Sequence, residues 1–294
     1  SLLTLGTKVH PRHFGLTATR AAIDRSLAAL RTEWLDALML HYPRCWGSLC
    51  AGSPPPEGTW LDAYRALEEA HGAGRARALG VCNVHLQDLD ELWRWARVKP
   101  HVVQNWMDPF HQDREVRAWC AARGVAYQAY SLLGTQHRGG GGNPVLGSAE
   151  VGAVADRHGQ SPAVVVLAWA LARGAIVLPR STDPGRMRDN LRALDLTLPP
   201  EDLAAIDALD GTDARSAARA RARPGSALEV RFRSGTDRPL TLRWEGAAWA
   251  LPARGELRLQ AYPGHTFRAE DAAGAEVWRR ELAEADRPAP GRPR

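Results

Sequence analysis

The 294-residue chain carries 38 lysine and arginine residues against 33 aspartate and glutamate residues, and 45% of its residues are hydrophobic. This composition is typical of globular proteins rather than of disordered or fibrous chains, and the length allows one large domain and one small one. No apolar run reaches the roughly 18–20 residues that a membrane span requires, so the sequence predicts no membrane segment.

The net charge of +5 includes an Ala/Arg-rich stretch around Arg215, Arg219, Arg221 and Arg223. A nucleic-acid surface is typically a folded basic face with aromatic side chains among the charges. The stretch lacks aromatic residues, so it predicts a solvated linker, and no nucleic-acid partner is expected.

The chain starts at Ser1 inside an apolar stretch, which is typical of a fragment or a processed end, and no secretory signal is recognisable there. Its four cysteines are Cys45, Cys50, Cys82 and Cys120. Without a secretory signal they predict reduced thiols, and we expect a cytoplasmic protein. Cys45 and Cys50 lie near His41 in the chain, but their spacing fits no zinc pattern well, so no metal site is predicted.

Short apolar runs alternate with amphipathic segments through the first 210 residues, which predicts parallel strands joined by helices. The predicted strands cover residues 3–9, 35–40, 78–81, 101–106, 125–130 and 175–179. The predicted helices start at Thr17 or Thr19 and at Thr59, and cover residues 86–93, 113–122, 163–173, 186–194 and 201–209. No glycine-rich phosphate turn follows the first strand, so an incomplete (β/α)8 TIM barrel fits better than a doubly wound sheet.

Polar or charged side chains follow the predicted strands, at the ends where such a barrel gathers its chemistry. Lys8 is one of only two lysines among 38 basic residues, so it is unusual in a chain that otherwise uses arginine. His41 ends the second strand, and a lysine beside a histidine indicates proton handling. A plainer alternative stays open, because loops begin where strands end and His41 alone can be a core histidine. The other polar strand ends are Asn83, Gln104, Tyr130 with Ser131, and Arg180 with Ser181.

Six stretches in colinear order resemble consecutive blocks of the aldo-keto reductase family. They are Thr7-Lys8-Val9, residues 35–43, 78–83, 100–104 and 128–134, and residues 177–181 with Arg186 and Asn190 downstream. The resemblance covers residues 1–210. It implies a barrel enzyme that reduces a small aldehyde or ketone by hydride transfer from NADPH.

The resemblance also implies roles for individual residues. Lys8 matches the lysine that lowers the pKa of a tyrosine acid, His41 the histidine that orients the carbonyl, and Tyr42 an aromatic of the substrate pocket. The matches to cofactor contacts are Cys82, Asn83 and Gln104 at the nicotinamide carboxamide, Tyr130 at the nicotinamide ring, Ser131 and Leu133 in the same block, Arg180, Ser181 and Arg186 at the 2′-phosphate, and Asn190 near the adenine. The family usually has serine where Cys82 stands.

The sequence departs from the family at the proton donor. The family's catalytic tyrosine and aspartate precede the block around Lys8, in strand–helix units that are not among the 294 residues. We therefore expect this chain to reduce carbonyls poorly even if it binds NADPH. The alternative is an inactive, reductase-like scaffold that binds a protein or peptide partner.

The C-terminal part has a different sequence pattern. Residues 211–226 predict a linker, residues 227–282 a small all-β sandwich domain, and residues 283–294 a disordered tail. Residues 258–268 resemble the signature of the von Hippel-Lindau β-domain, which implies a partner peptide that contains hydroxyproline. In that resemblance His265 matches a peptide-binding residue, and Phe267 stands where a tryptophan would be.

Overall fold

The computed structural model describes residues 4–45, 49–137, 143–212, 228–234, 236–244, 247–261 and 266–281. The chain divides into two compact units, one of residues 1–44 and 55–217 and the other of residues 45–54 and 218–294. Within the described ranges, no helix has both the length and the apolar character that crossing a membrane requires. Most of the predicted linker and the whole predicted tail lie outside the described residues.

A six-stranded parallel sheet forms the centre of the larger unit. Its strands are β1 (Gly6–Val9), β2 (Leu35–Leu40), β3 (Ala76–Cys82), β4 (Val102–Trp106), β5 (Ala126–Tyr130) and β6 (Ile176–Val177). They pair in chain order, so β1 and β6 are the two edges of this sheet. The predicted parallel sheet with its helical connections is confirmed, and all carboxyl ends of the strands point the same way.

Eight α-helices accompany the sheet in the described part of this unit. They are α1 (Leu16–Leu30), α2 (Trp60–Gly72), α3 (Leu86–Trp95), α4 (Arg114–Ala121), α5 (Ala149–His158), α6 (Pro162–Ala172), α7 (Pro184–Leu191) and α8 (Pro200–Asp207). Thr59 begins α2 as predicted, because its hydroxyl accepts from the Asp62 N–H while the Asp62 carboxylate accepts from the Thr59 N–H. Ser161 likewise caps α6, with Pro162 in the first turn.

One predicted helix start was wrong, and one helix was not predicted. Helix α1 begins after Gly15 rather than at Thr17 or Thr19, and the buried Thr19 hydroxyl donates instead to the His13 carbonyl at 2.7 Å. Helix α5 was not predicted at all, although Ser148 caps it by accepting from the Val151 N–H. The helix buries only Val151, Val154 and Ala155. Three buried residues are too few to give the repeated apolar pattern by which a longer helix is recognised in a sequence.

The hydrophobic core lies on both faces of the sheet. The larger cluster fills the layer between the strands and the helices, with Leu38, Leu79 and Trp169 fully buried. A smaller cluster on the inner face joins Ala37, Met39, Cys82 and Val102 from β2, β3 and β4, with Ala126 of β5 packed against it. Inward-facing side chains from neighbouring strands are the packing of a barrel interior.

The smaller unit contains two antiparallel sheets, as predicted for an all-β module. Strands β7 (Leu228–Arg233) and β10 (Glu256–Ala261) form one. The other has the order β12-β11-β8-β9, with β8 (Leu240–Trp244), β9 (Ala247–Leu251), β11 (Thr266–Glu270) and β12 (Glu276–Glu281). The rings of Phe232 in β7 and Trp278 in β12 meet edge to face, with centroids 6.0 Å apart.

The prediction that all four cysteines are reduced thiols was wrong. Cys45 and Cys50 form a disulfide, whereas Cys82 and Cys120 are free and buried. The two half-cystines are only five residues apart in a loop, a separation at which the chain can bring them together without a tertiary contact.

Candidate active site

Lys8 and His41 lie at the carboxyl ends of neighbouring strands. In the β1–β2 register Lys8 pairs with Met39 and Val9 with Leu40, and the His41 N–H then donates to the Val9 carbonyl at 2.9 Å. Both side chains are half-buried. The structure therefore brings together the two residues that the sequence predicts as catalytic.

The surroundings of His41 keep its imidazole neutral. Burial lowers the pKa of His41 to about 4, and the charges of Lys8 and His10 contribute in the same direction. The His10 ring lies edge to face with that of His41 at 6.2 Å, and the Tyr42 ring lies at 4.7 Å. A neutral imidazole can donate one hydrogen bond to a carbonyl oxygen and does not repel the cation of Lys8.

Asn83 connects the ends of several strands. Its backbone adopts a left-handed conformation with φ of 56°, and its N–H donates to the Gln104 carbonyl at 3.1 Å. Its side-chain Nδ2 donates to the His41 carbonyl at 2.8 Å, and its Oδ1 accepts from the Tyr130 hydroxyl at 2.5 Å. Asparagine tolerates this backbone conformation better than most residues. One amide side chain thus joins the end of β2 to the end of β5.

Cys82 and Gln104 point towards the inner face of the sheet. Cys82 lies in the smaller core cluster with its sulfur 3.8 Å from that of Met39, and burial raises the pKa of the thiol to about 12. The neighbouring charge of Lys8 opposes this shift without reversing it. Gln104 is buried, and its Nε2 donates to Gln128 Oε1 at 2.9 Å.

The loop after β5 carries the next predicted cofactor contacts. Ser131 has a left-handed backbone with φ of 60°, and its hydroxyl accepts from Gln136 Nε2 at 3.2 Å. Leu133 is half-buried against the larger core cluster, and its carbonyl accepts from Asn143 Nδ2 at 2.7 Å. Tyr130, at the end of β5, is half-buried. These residues form a defined turn directly beyond the strand.

The predicted phosphate cluster follows β6. The Leu178 N–H donates to the Ala129 carbonyl at 3.2 Å, so the chain leaves the sheet beside Tyr130 and reaches Arg180 and Ser181. Asp183 then caps α7, and its carboxylate accepts from the Arg186 N–H at 3.0 Å.

The side chains of Arg180 and Arg186 are exposed, and among the described residues neither forms an ion pair. Asn190 is half-buried near the end of α7. Two exposed guanidinium groups near a helix N-terminus can bind a phosphate, although the Asp183 carboxylate adds one opposing charge.

Comparison with known proteins shows a family and individual relatives to which the chain is similar. The model of the Aldo/keto reductase family matches residues 2–211. The 9,11-endoperoxide prostaglandin H2 reductase of Trypanosoma cruzi is 31% identical over 204 residues, which cover 69% of this chain and 66% of that protein. The Homo sapiens Aldo-keto reductase family 1 member A1 is 32% identical over 219 residues, which cover 69% of this chain and 65% of that protein.

The chain belongs to the Aldo/keto reductase family. An aldo-keto reductase of Bombyx mori, solved in complex with NADP, superposes with a TM-score of 0.65 at 23% identity, over 72% of this chain and 69% of that one. This likeness shows the barrel-like α/β fold. The chain spans only 65–66% of the length of the two curated relatives.

The family blocks did not reveal every residue of the candidate site. His10 contacts His41 but was not predicted, and its position two residues after Lys8, just beyond the strand, was the one signal available. The buried Asp108 and His137 were missed as well, because nothing in the sequence brings them together. Among the described residues, no group of three or more His, Cys, Asp or Glu side chains is placed to hold a metal ion.

The predicted peptide-binding residues belong to the smaller unit. His265 lies outside the described residues, and for Phe267 only the backbone, within β11, is described. The described strands show an antiparallel module, and its resemblance to the von Hippel-Lindau β-domain stays a prediction.

Proposed function

We propose that this protein catalyses the NADPH-dependent reduction of an aldehyde or ketone to an alcohol. The observation that carries the proposal is the position of Lys8 next to a neutral His41, with Asn83 joining His41 to Tyr130 across the strand ends. Membership of the Aldo/keto reductase family supports this reaction type, and the Bombyx mori relative in complex with NADP supports the cofactor.

The residues at the strand ends are suited to hold such a cofactor. Gln104 uses its Nε2 on Gln128, while its Oε1 makes no hydrogen bond in the described part of the chain and can accept from a carboxamide. The Tyr130 ring supplies a flat surface for a nicotinamide, and Arg180, Ser181 and Arg186 supply donors for a phosphate. NADPH, when bound, provides the hydride that reaches the carbonyl carbon.

His41, Tyr42 and Lys8 act on the carbonyl compound in this proposal. The neutral imidazole of His41 donates a hydrogen bond to the carbonyl oxygen and so fixes its orientation. Tyr42 lies against the His41 ring, and burial raises the pKa of its hydroxyl, with the neighbouring Cys82 acting in the same direction, so it lines the site as a neutral phenol. The ammonium of Lys8 favours the negative charge that develops on the oxygen.

The proton donor determines how fast this 294-residue chain can reduce a carbonyl compound. In the family resemblance the donor is a tyrosine upstream of Lys8, and general acid help is typically worth about 10²–10⁴-fold in rate. When the purified chain is mixed with NADPH and common aldehydes, we expect the absorbance of the reduced nicotinamide to fall slowly or not at all. The same chain extended by its upstream coding sequence, where that carries the family's Tyr and Asp, is expected to turn over rapidly.

His41→Ala and His101→Ala provide the comparison within this experiment. His101 lies next to the amino end of β4, away from the carboxyl ends, so His101→Ala leaves turnover unchanged while His41→Ala reduces it. Rapid turnover by the unextended 294-residue chain that disappears in His41→Ala would show that a residue of this chain supplies the proton. No turnover by either form would remove the proposed function.

One observation favours a second candidate, an inactive scaffold that binds a partner through its β-module. Both polar groups of the Asn83 side chain already have partners within the chain, at the His41 carbonyl and the Tyr130 hydroxyl. A residue occupied in this way must rearrange before it can hold a carboxamide. Absence of NADPH binding, with binding of a hydroxyproline-containing peptide to residues 227–282, would select this candidate.

The cytoplasmic location stays a prediction. Disulfides are rare in the cytoplasm, where thiol reductants are abundant, so the Cys45–Cys50 bond argues against it.

A further inference from the structure

A fully buried carboxylate lies just beyond the end of β4. Asp108 is 0% exposed, and its Oδ2 accepts from Trp106 Nε1 at 2.8 Å and lies 2.9 Å from His137 Nε2. Its Oδ1 accepts from the N–H groups of Phe110 at 2.8 Å and His111 at 3.1 Å. Burying a carboxylate costs free energy unless it is paired and hydrogen-bonded. The donors around Asp108 meet this requirement, and together they hold the carboxylate in one position.

The contact between His137 and Asp108 attaches the loop that follows β5 to the segment that follows β4. The loop of residues 131–137 leaves β5 at Tyr130, whose carbonyl accepts from the Met107 N–H at 3.2 Å, and it returns at His137 to Asp108. Both ends of the loop are therefore attached to the segment that follows β4. The His137 side chain is only 2% exposed, and its ring meets those of Trp106 and Phe110 edge to face.

The middle of the same loop has a second attachment, at Asn143. Asn143 Nδ2 donates to the Leu133 carbonyl at 2.7 Å, and Asn143 Oδ1 accepts from the Val145 N–H at 3.0 Å. Gly134, with φ of +82°, leaves the space that the Asn143 amide occupies, since a Cβ there would lie 2.2 Å from Asn143 Oδ1. Ser131 and Leu133, two of the predicted cofactor contacts, thus lie on a short loop that is attached at His137 and at Leu133.

We propose that Asp108 and His137 are positioning residues, which hold the loop of residues 131–137 in the conformation that binds the nicotinamide cofactor. This inference rests on the proposed function, because it assumes that the loop contacts NADPH. The left-handed backbone of Ser131 costs free energy in an unrestrained chain, so the loop needs attachments to keep it. His137 provides one of them through the hydrogen bond between its ring and the buried carboxylate of Asp108.

The experiment uses two substitutions of His137 in the full chain. His137→Phe keeps a ring of similar size but removes the donor to Asp108, and His137→Gln restores an amide donor. Each is titrated with NADPH by nicotinamide fluorescence, and amide hydrogen exchange is measured for residues 131–137. The Gly134 and His137 amides, which donate to Ser131 and Gly134 carbonyls, report the order of the loop directly.

A second histidine–aspartate pair gives a matched control. His158 Nε2 lies 2.6 Å from Asp202 Oδ2 and joins the end of α5 to α8, outside the strand ends and their loops. His158→Phe removes the same kind of hydrogen bond, so it reveals the effect of general destabilisation on NADPH binding.

We expect His137→Phe to weaken NADPH binding about tenfold or more and to accelerate exchange in the loop, while His137→Gln recovers most of both. His158→Phe is expected to lower the melting temperature with less than about a twofold change in NADPH affinity. Faster loop exchange with unchanged NADPH affinity in His137→Phe would overturn the positioning role, and unchanged exchange would overturn the attachment itself. Absence of NADPH binding by the unsubstituted chain would instead identify a failure of the proposed function.

Discussion

At the scale of single residues, the protonation state of His41 depends on its burial and on the neighbouring side chains of Lys8 and His10. Burial makes the largest contribution, followed by Lys8 and then His10, and together they lower the pKa of His41 to about 4. The unperturbed value is 6.5, so an unfolded chain binds a proton at His41 between pH 6.5 and about 4 while the folded chain does not. The stabilising contribution of His41 is therefore present above pH 6.5 and is lost as the pH falls towards 4.

We predict that the imidazole signal of His41 titrates with a midpoint near pH 4. The measurement is an NMR titration of the histidine ring protons, with the signal assigned by its absence in His41→Gln. A midpoint at 6 or above would contradict the neutral His41 on which the proposed carbonyl binding depends.

Substitution of Lys8 separates its charge from the effect of burial. Lys8→Met raises the midpoint of His41 but leaves it below 6.5, because burial is the larger cause. Lys99→Met is the matched control, since Lys99 donates to the Ala96 carbonyl at 2.7 Å, beyond the end of α3, and is expected to leave the midpoint unchanged.

The pair Lys8 and His41 could be predicted from sequence because both end consecutive strands and because lysine is rare in this chain. The contacts that tune them could not. His10 lies against His41 only because the chain turns after β1, and Asp108 meets His137 across 29 residues of sequence. Such pairs depend on tertiary packing, for which one sequence carries no periodic signal.

At the scale of elements, the approach of β3 to its neighbours requires a glycine. A Cβ at Gly80 would lie 2.5 Å from Val102 Cγ1, 2.6 Å from the Val102 carbonyl oxygen and 2.8 Å from Met39 Cγ. The obstacle includes backbone of β4, which cannot move without shifting the strand. Strand β3 also carries Cys82 and leads directly to Asn83, so a shift here reaches the candidate site.

We predict that Gly80→Ala lowers the free energy of unfolding by about 1–3 kcal/mol through overpacking. Gly152→Ala is the control: Gly152 lies inside α5 with nothing within 4 Å of the added Cβ, so alanine is expected to stabilise by about 0.5–1 kcal/mol. Urea denaturation followed by circular dichroism measures both. Equal stability of the two variants would show that β3 and β4 tolerate the methyl group.

The sequence predicted the type of each helix and strand more reliably than the residues at which it begins and ends. The apolar runs predicted six parallel strands, and the Thr59 cap predicted the start of α2. Strand β6 is shorter than predicted, and only Ile176 and Val177 pair with β5. The start of α1 was misjudged since Thr19 serves an internal hydrogen bond instead of a cap.

At the scale of the whole molecule, the chain combines a family domain with a separate antiparallel module. The family match ends at residue 211, and the strands of the module begin at Leu228. Alternating apolar residues predicted the antiparallel pairing of this module, which the structure confirms. Neither the pattern nor the pairing defines a ligand, because alternation reports only which face of a strand is buried.

The proposed reductase function depends on whether this chain binds NADPH in preference to NADH. Arg186 is exposed at the start of α7, and charge-assisted contacts to a 2′-phosphate are worth about 1.5–3 kcal/mol each. The test is a fluorescence titration of the chain, of Arg186→Ala and of Arg188→Ala with both cofactors. Arg188 is another exposed arginine of the same helix and is outside the predicted cluster, so it controls for loss of one positive charge.

We predict that the unsubstituted chain and Arg188→Ala bind NADPH at least about tenfold more tightly than NADH, and that Arg186→Ala loses about 10–100-fold in NADPH affinity with little change for NADH. Equal affinity of the unsubstituted chain for the two cofactors, or equal losses in the two variants, would contradict the predicted 2′-phosphate site at Arg186.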